Sequence, residues 1–435
     1  MPDAPALPKT FFSRVALPVF SWGLPFHSLL VALLFGGLGL AIGTARMLAA
    51  WKEVAVIGLV ALVILRAVTG HGPRVAIHWI DIAVGSLIAI ALVFFLAGKA
   101  FFQIELPPGA ELYGIRDIAF FLLLYFVGRA SPEIADDPQT LRRLYIIVLL
   151  TSAIAVVERI LVTPDMLVLL GVASYFQDFL NVSAFTAGNE YGLPMNYWTH
   201  IGSIDVQRAG SIYLSSQGFA IPFLILLPVA TVWVFGAARR VTTSMKIEYA
   251  IIWIGLLLSI TRMTIFVCMI QLVLVVIMLR KPEWAVAGFV TAGAVILIAM
   301  FTVPGLAGFI WDTLSWQTGS SVSHSKDFMK GLTAFFDHPL GAGLGTTDQT
   351  AVRVGLNPLT ADNGYFKYAV ELGIEGLIAH LAIFVGILVT SFKVARHAST
   401  LNRRLMGTVV LFTTIGILIN DTTGVVFNTI VLAYL

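Results

Sequence analysis

The chain has 435 residues, 58% of them apolar and only 12% charged, with a mean hydropathy of +0.91, whereas soluble domains carry about a quarter charged residues. Such a chain cannot make a polar surface in water. Its net charge is only +3 and its basic residues form no long run, which leaves no electrostatic footprint for nucleic acid, and a single cysteine, Cys268, excludes an intrachain disulfide and any cluster of paired thiolates.

At the N-terminus Lys9 and Arg14 precede an apolar stretch over 21–43. This is longer than the roughly 7–15 residues of a signal-peptide core, so it reads as a retained first span. A spanning helix needs about 20 mostly apolar residues. By that rule spans are expected near 21–43, 54–68, 79–98, 117–129, 144–162, 209–236, 248–260, 263–279, 285–303, 365–391, 406–420 and 424–435. The expectation is an all-α, polytopic integral membrane protein of about 12 helices, filling 1–435 as one domain without linker, low-complexity tract or internal repeat.

Cytoplasmic loops retain Lys and Arg. With the N-terminus inside, most of the 27 basic residues fall on the inner side, above all in the short loops 236–246 and 393–404. The two longest connections, 163–207 and 304–364, then lie outside, the second between spans nine and ten. Each contains an apolar stretch, 166–180 and 324–336, that reads equally as an interfacial helix on the headgroups or as a lid over a site.

Ionisable residues at membrane depth are expensive and point to function. Arg116 in "YGIRDIAF", the Glu158–Arg159 pair in "AVVERILV", Arg208 in "QRAGSIYLSSQGF" and Arg262 in "SITRMTIF" all fall toward outer helix ends. The bland reading of each arginine is snorkelling or a local ion pair. Taken together they suit a phosphate-bearing lipid, because guanidinium binds phosphate oxygens bidentately and keeps its charge when partly desolvated. No metal is called for, and no cofactor.

The block "FFDHPLGAGLGTTDQTAVRVGLNPLTADNGYFKYAVELGIEG" is the densest polar and glycine-rich stretch. Its glycines complete no nucleotide-binding pattern. It gathers His338, Asp348, Arg353, Asp362 and Asn363, then enters a span through Glu371, Gly373 and Gly376. As structure alone, Asp362 or Asn363 is a helix N-cap and His338 a loop residue bonded to nearby backbone.

These segments resemble a known family. "HPLGAGLG" followed by "DNGYFKYAVELGIEG", with "RAGSIYLSSQGF" and "SITRMTIF", resembles the O-antigen ligase, O-antigen polymerase and exopolysaccharide polymerase superfamily over roughly 208–376. The resemblance implies a membrane glycosyltransferase of the GT-C kind. It would use an undecaprenyl-diphosphate-linked glycan as donor, a glycan acceptor and no metal, in a bacterial inner membrane with the active site facing the periplasm. In the ligases a histidine precedes Asn, Ser or Gln, nine further residues and Gly-x-x-Gly. Here Asn363, Gly373 and Gly376 fit, but Asp362 stands at the histidine position. Asp-Asn with the aromatic Tyr365 resembles the polymerase branch, whose expected partners include a flippase and a chain-length regulator.

Displacing a diphosphate at an anomeric carbon requires fixed cations to meet the growing charge, a task for Arg208 and Arg262, with Arg116, Arg159, Arg353, Asn363 and Tyr365 as further substrate-binding candidates. The acceptor hydroxyl requires a base; Asp362 is the first candidate and His338 the second. A ligase transferring the glycan to a lipid A-core or other acceptor is the alternative within this chemistry. A transporter or flippase, which would carry charge pairs at the midplane on repeated broken helices, is the alternative from another class, and a structural scaffold is the last.

Overall fold

Apolar runs too long to face water must close their backbone hydrogen bonds internally, and helix dominates the computed structural model, which describes residues 11–70, 76–101, 105–120, 122–182, 190–201, 204–237, 240–315, 317 and 319–426. The N-terminal region contributes α1 (Leu17–Ala32), α2 (Ile42–Ala49), α3 (Trp51–Val68), α4 (Trp79–Phe101), α5 (Ala110–Ile115), α6 (Leu123–Arg129) and α7 (Pro138–Leu161). Short α8 (Pro164–Leu169) and α9 (Val172–Ser174) lead to strands β1 (Trp198–Ile201) and β2 (Ile204–Gln207). The rest comprises α10 (Ser216–Ala220), α11 (Phe223–Val232), α12 (Thr243–Leu258), α13 (Arg262–Met278), α14 (Pro282–Thr302), α15 (Leu306–Leu314), α16 (Gly319–Asp337), α17 (Asp348–Arg353), α18 (Gly364–His397) and α19 (Leu401–Asn420).

Among the described residues eight helical stretches are long and apolar enough to cross a membrane, and Arg262–Met278 is a shorter apolar helix. The expected span over 117–129 is interrupted: a π-helical turn over Arg116–Phe120 precedes α6, because Asp117 is drawn into a polar network described below. Of the expected span 424–435, residues 427–435 lie outside the described residues.

The stretch Ser216–Ala237 is the axle of the bundle, mostly buried, and it packs against α7, α13 and α19. By contrast α14 is almost wholly exposed apolar surface, which is what a lipid-facing helix presents.

One end of the bundle is stitched by side-chain pairs near the basic short loops. Arg129 Nε donates to Asp81 Oδ1 at 2.9 Å, Arg403 Nη2 to Asp136 Oδ2 at 2.6 Å, and the Tyr145 hydroxyl to Glu248 Oε2 at 2.6 Å. The opposite end carries both long connections.

Two features there were not expected. The first connection contains an antiparallel hairpin pairing Trp198 with Gln207 and Ile201 with Ile204. Alternation of β-branched or aromatic with polar residues favours this pairing, but each strand is only four residues long. The stretch 166–180 is neither a free lid nor a helix lying on headgroups alone. Leu167, Val172 and Tyr175 are buried in a separate apolar cluster with Val31, Ala32 and Ala49.

Candidate active site

The glycine-rich block explains itself in space. α18 is broken at Gly373, whose φ of 71° and ψ of −170° lie in a region that only glycine occupies readily. The break releases backbone groups, and the segment "HPLGAGLG" satisfies them. Ala342 N donates to Val370 O at 2.7 Å, Gly343 N to Glu371 O at 3.2 Å, and Ile374 N to Pro339 O at 3.0 Å. Irregular backbone at this depth is tolerated where protein encloses it. A Cβ on Gly373 would stand 2.7 Å from the Leu340 carbonyl carbon, and one on Gly114 of α5 2.5 Å from Gly345 N. Gly373→Ala should therefore lower the thermal midpoint in detergent, the backbone conformation alone costing about 1–3 kcal/mol. An unchanged midpoint would show the break to be relaxed.

Beneath this segment lies a buried ionic network. Lys367 is fully buried with its Nζ 2.6 Å from Asp348 Oδ2 and 3.6 Å from Glu371 Oε1, while the Thr347 hydroxyl donates to Glu371. Thr350 Oγ1 donates to Asp117 Oδ2 at 2.6 Å, and Arg116 Nη2 to Asp117 Oδ1 at 2.9 Å. Buried charges persist when paired and hydrogen-bonded. This network ties the Arg116 turn and α17 to the first half of α18. Sequence reading named Glu371 but passed over Lys367, although Lys and Glu at i, i+4 in a membrane helix form a recognisable pair.

The start of α18 is fastened to the end of α19. The Asn363 side chain accepts from Phe366 N at 3.0 Å and donates to Thr422 O at 3.0 Å. Gly364 N donates to Asp421 O at 2.8 Å, and the Tyr365 hydroxyl to Leu418 O at 2.5 Å. Asn363, not Asp362, is thus the cap, and both Asn363 and Tyr365 use their polar groups within the fold.

Asp362 is left over from the capping and is half-exposed, with its Oδ2 3.7 Å from the Nδ1 of His324 on α16. Burial, reinforced by the nearby Asp327 and Asp348, pushes its carboxyl above the ordinary value against the pull of His324. His338 is exposed at the end of α16, its backbone carbonyl accepting from Gly341 N at 2.9 Å. His324 went unnoticed as a candidate because 38 residues of sequence separate it from Asp362; only the packing of α16 on α18, through Phe328 and Phe366 with ring centroids 5.1 Å apart, brings them together.

Arg208 follows β2 directly. Its backbone N–H donates to Tyr197 O at 2.6 Å, and the Glu158 carboxylate caps the next turn by accepting from Gly210 N at 3.1 Å and Ser211 N at 2.5 Å. The guanidinium donates to Ser259 O and Thr261 Oγ1, both at 2.8 Å. Next to it Arg262 donates to Thr313 Oγ1 at 3.1 Å, and its guanidinium lies over the Phe309 ring at 5.3 Å. Burial and the neighbouring charge of Arg262 hold Arg208 down to about 10, so it stays cationic at neutral pH. Among the described residues no carboxylate pairs with either guanidinium.

The candidates therefore fall into three places at one end of the bundle: Arg208 with Arg262, Asp362 with His324, and Arg116 with Arg353 about the Asp117 network. Arg159 stands apart, exposed at the end of α7.

Such an assembly is that of a multi-pass membrane protein whose arginine-bearing polar groups gather at one end of the bundle, over a broken helix. Residues 249–381 match the family described as O-Antigen ligase, and this match supports the resemblance to the superfamily of O-antigen ligases and polymerases, which are membrane glycosyltransferase-like enzymes. The matched residues run from α12 into α18 and include Arg262, His324, Asp362 and Gly373, while Arg208 lies before them. A search of curated proteins finds no match.

Proposed function

We propose that the protein is a polysaccharide polymerase that joins undecaprenyl-diphosphate-linked repeat units on the outer face of a bacterial inner membrane, with inversion at the transferred carbon and no metal. The observation that carries this reading is the pair Arg208 and Arg262, two neighbouring guanidinium groups without a carboxylate to neutralise them. Their mutual repulsion is relieved when an anion lies between them. The acceptor hydroxyl oxygen attacks the anomeric carbon as the bond from that carbon to the phosphate oxygen breaks. The diphosphate leaves with the electron pair, and the hydroxyl proton passes to Asp362. A ligase is the second reading, favoured by the description of the matched family; Asp362 in place of the ligase histidine favours the polymerase.

Purified protein supplied with a lipid-linked repeat unit alone should make a ladder of polymers. Product that forms only when a lipid A-core acceptor is added would assign the ligase reaction instead.

The proposed orientation has its own test. Cys268 is buried, so a cysteine introduced at exposed Ser323 or Ser244 reports on its own loop. In whole cells Ser323→Cys should react with an impermeant thiol reagent and Ser244→Cys should not; the reverse pattern would invert the topology and remove the outer-face assignment.

A further inference from the structure

α17 carries Thr350 and Arg353 one turn apart, hence on one face. Since Thr350 is bonded to Asp117, that face is held against the Arg116 turn. Arg353 and Arg116 are also within electrostatic reach of Lys52 at the start of α3, whose Nζ lies 3.1 Å from Glu53 Oε1 and 3.2 Å from His27 Nε2. Each carboxylate here already has a cation: Glu53 has Lys52, and Asp117 has Arg116. Among the described residues no carboxylate forms an ion pair with Arg353. Its Nε is buried and has no hydrogen-bond partner among the described residues. The first long connection crosses above it, with Asn181 Nδ2 donating to Arg353 O at 3.3 Å.

From this geometry we infer a second anion site, formed by Arg353, Arg116 and Lys52, that holds the phosphate of the acceptor lipid. The inference rests on the glycosyl-transfer reading. A buried guanidinium nitrogen without an acceptor is costly, and the Nε edge of arginine is the edge that meets phosphate bidentately. Arg208 and Arg262 sit on different elements, bonded to Ser259, Thr261 and Thr313, so the two basic groups have no protein partner in common. Transfer between two lipid-borne glycans requires two anionic heads to be held at once, and the fold provides two cationic places at the same end. The phosphate can belong to a second lipid diphosphate or to a phosphorylated core lipid; both present the same oxygens.

Full-length protein in nanodiscs, titrated with undecaprenyl diphosphate and read by native mass spectrometry, tests the site. Wild type should bind two equivalents. Arg353→Gln should weaken one of them by roughly ten- to a hundredfold, the loss of a hydrogen bond to a charged group, and Arg208→Gln should weaken the other. Arg353→Lys, which keeps the charge but not the fork, should fall between. If Arg353→Gln fails to fold, Lys52→Gln on a separate helix provides the same reading. Displacement of only the Arg353-dependent equivalent by phosphorylated lipid A-core would name the core lipid as acceptor, and no displacement would name a second lipid diphosphate. A single equivalent bound by a wild type that makes polymer, and lost together with polymer in Arg208→Gln, would overturn the second site and leave the transfer reading standing. Two equivalents persisting in Arg353→Gln would also overturn it, and no binding by wild type would overturn both.

Discussion

Arg208→Ala should abolish nearly all glycosyl transfer, and Arg208→Lys should lose most of it. The guanidinium makes two bonds within the fold, to Ser259 O and Thr261 Oγ1, and the bond to Thr261 Oγ1 reaches the residue next to Arg262. In the proposed reaction its remaining nitrogen, Nη1, would meet the charge that grows on the leaving diphosphate. Removing one fixed donor from such a site costs about 10²–10³ in rate. Lysine retains charge but cannot hold Ser259, Thr261 and a phosphate together, so it should recover only a small part. The turn is held by backbone and Glu158 rather than by the side chain, so both variants should insert and fold. Rates measured on purified protein with lipid-linked substrate, beside thermal unfolding, separate the two effects. Near-normal transfer by Arg208→Ala would remove the diphosphate role from this residue and with it the main support for the reaction.

Much of this architecture was legible because hydrophobic runs report directly on helices. The charges at their ends, Arg116, Glu158, Arg208 and Arg262, report on the end where the polar groups gather. Spacing along the chain cannot show which of those charges meet. Glu158 looked like half of an ion pair with Arg159, yet its oxygens bind the backbone of Gly210 and Ser211. Lys367 and Asp348, 19 residues apart, are joined beside a break at Gly373 in a helix that composition alone would draw straight. The same break explains the glycines of "HPLGAGLG", which permit backbone to lie against backbone. Asp362 and Asn363 were interchangeable as caps on sequence. The structure divides them, giving the cap to Asn363 and leaving the Asp362 carboxylate outside.

That division makes the assignment of the base testable without unfolding the protein. Asp362→Asn removes the basic oxygen, keeps the shape and leaves the Asn363 cap intact, so the variant should be folded and membrane-inserted while polymer formation falls by about 10²–10⁴. The pH dependence should carry the same signature. A base works deprotonated, so wild-type activity should rise with pH through a value above that of an ordinary aspartate, as partial burial raises Asp362. The neighbouring His324 pulls that value down. His324→Ala should therefore move the acid limb of the profile to higher pH, whereas Asp362→Asn should abolish the limb. His338 is exposed and only its backbone is engaged in the turn, so His338→Ala should change transfer by less than about tenfold and leave the limb in place. Normal polymer from Asp362→Asn together with none from His338→Ala would reverse the assignment and move the proton to His338. An acid limb unmoved in His324→Ala would show that the pair 3.7 Å apart does not set the ionisation of the base.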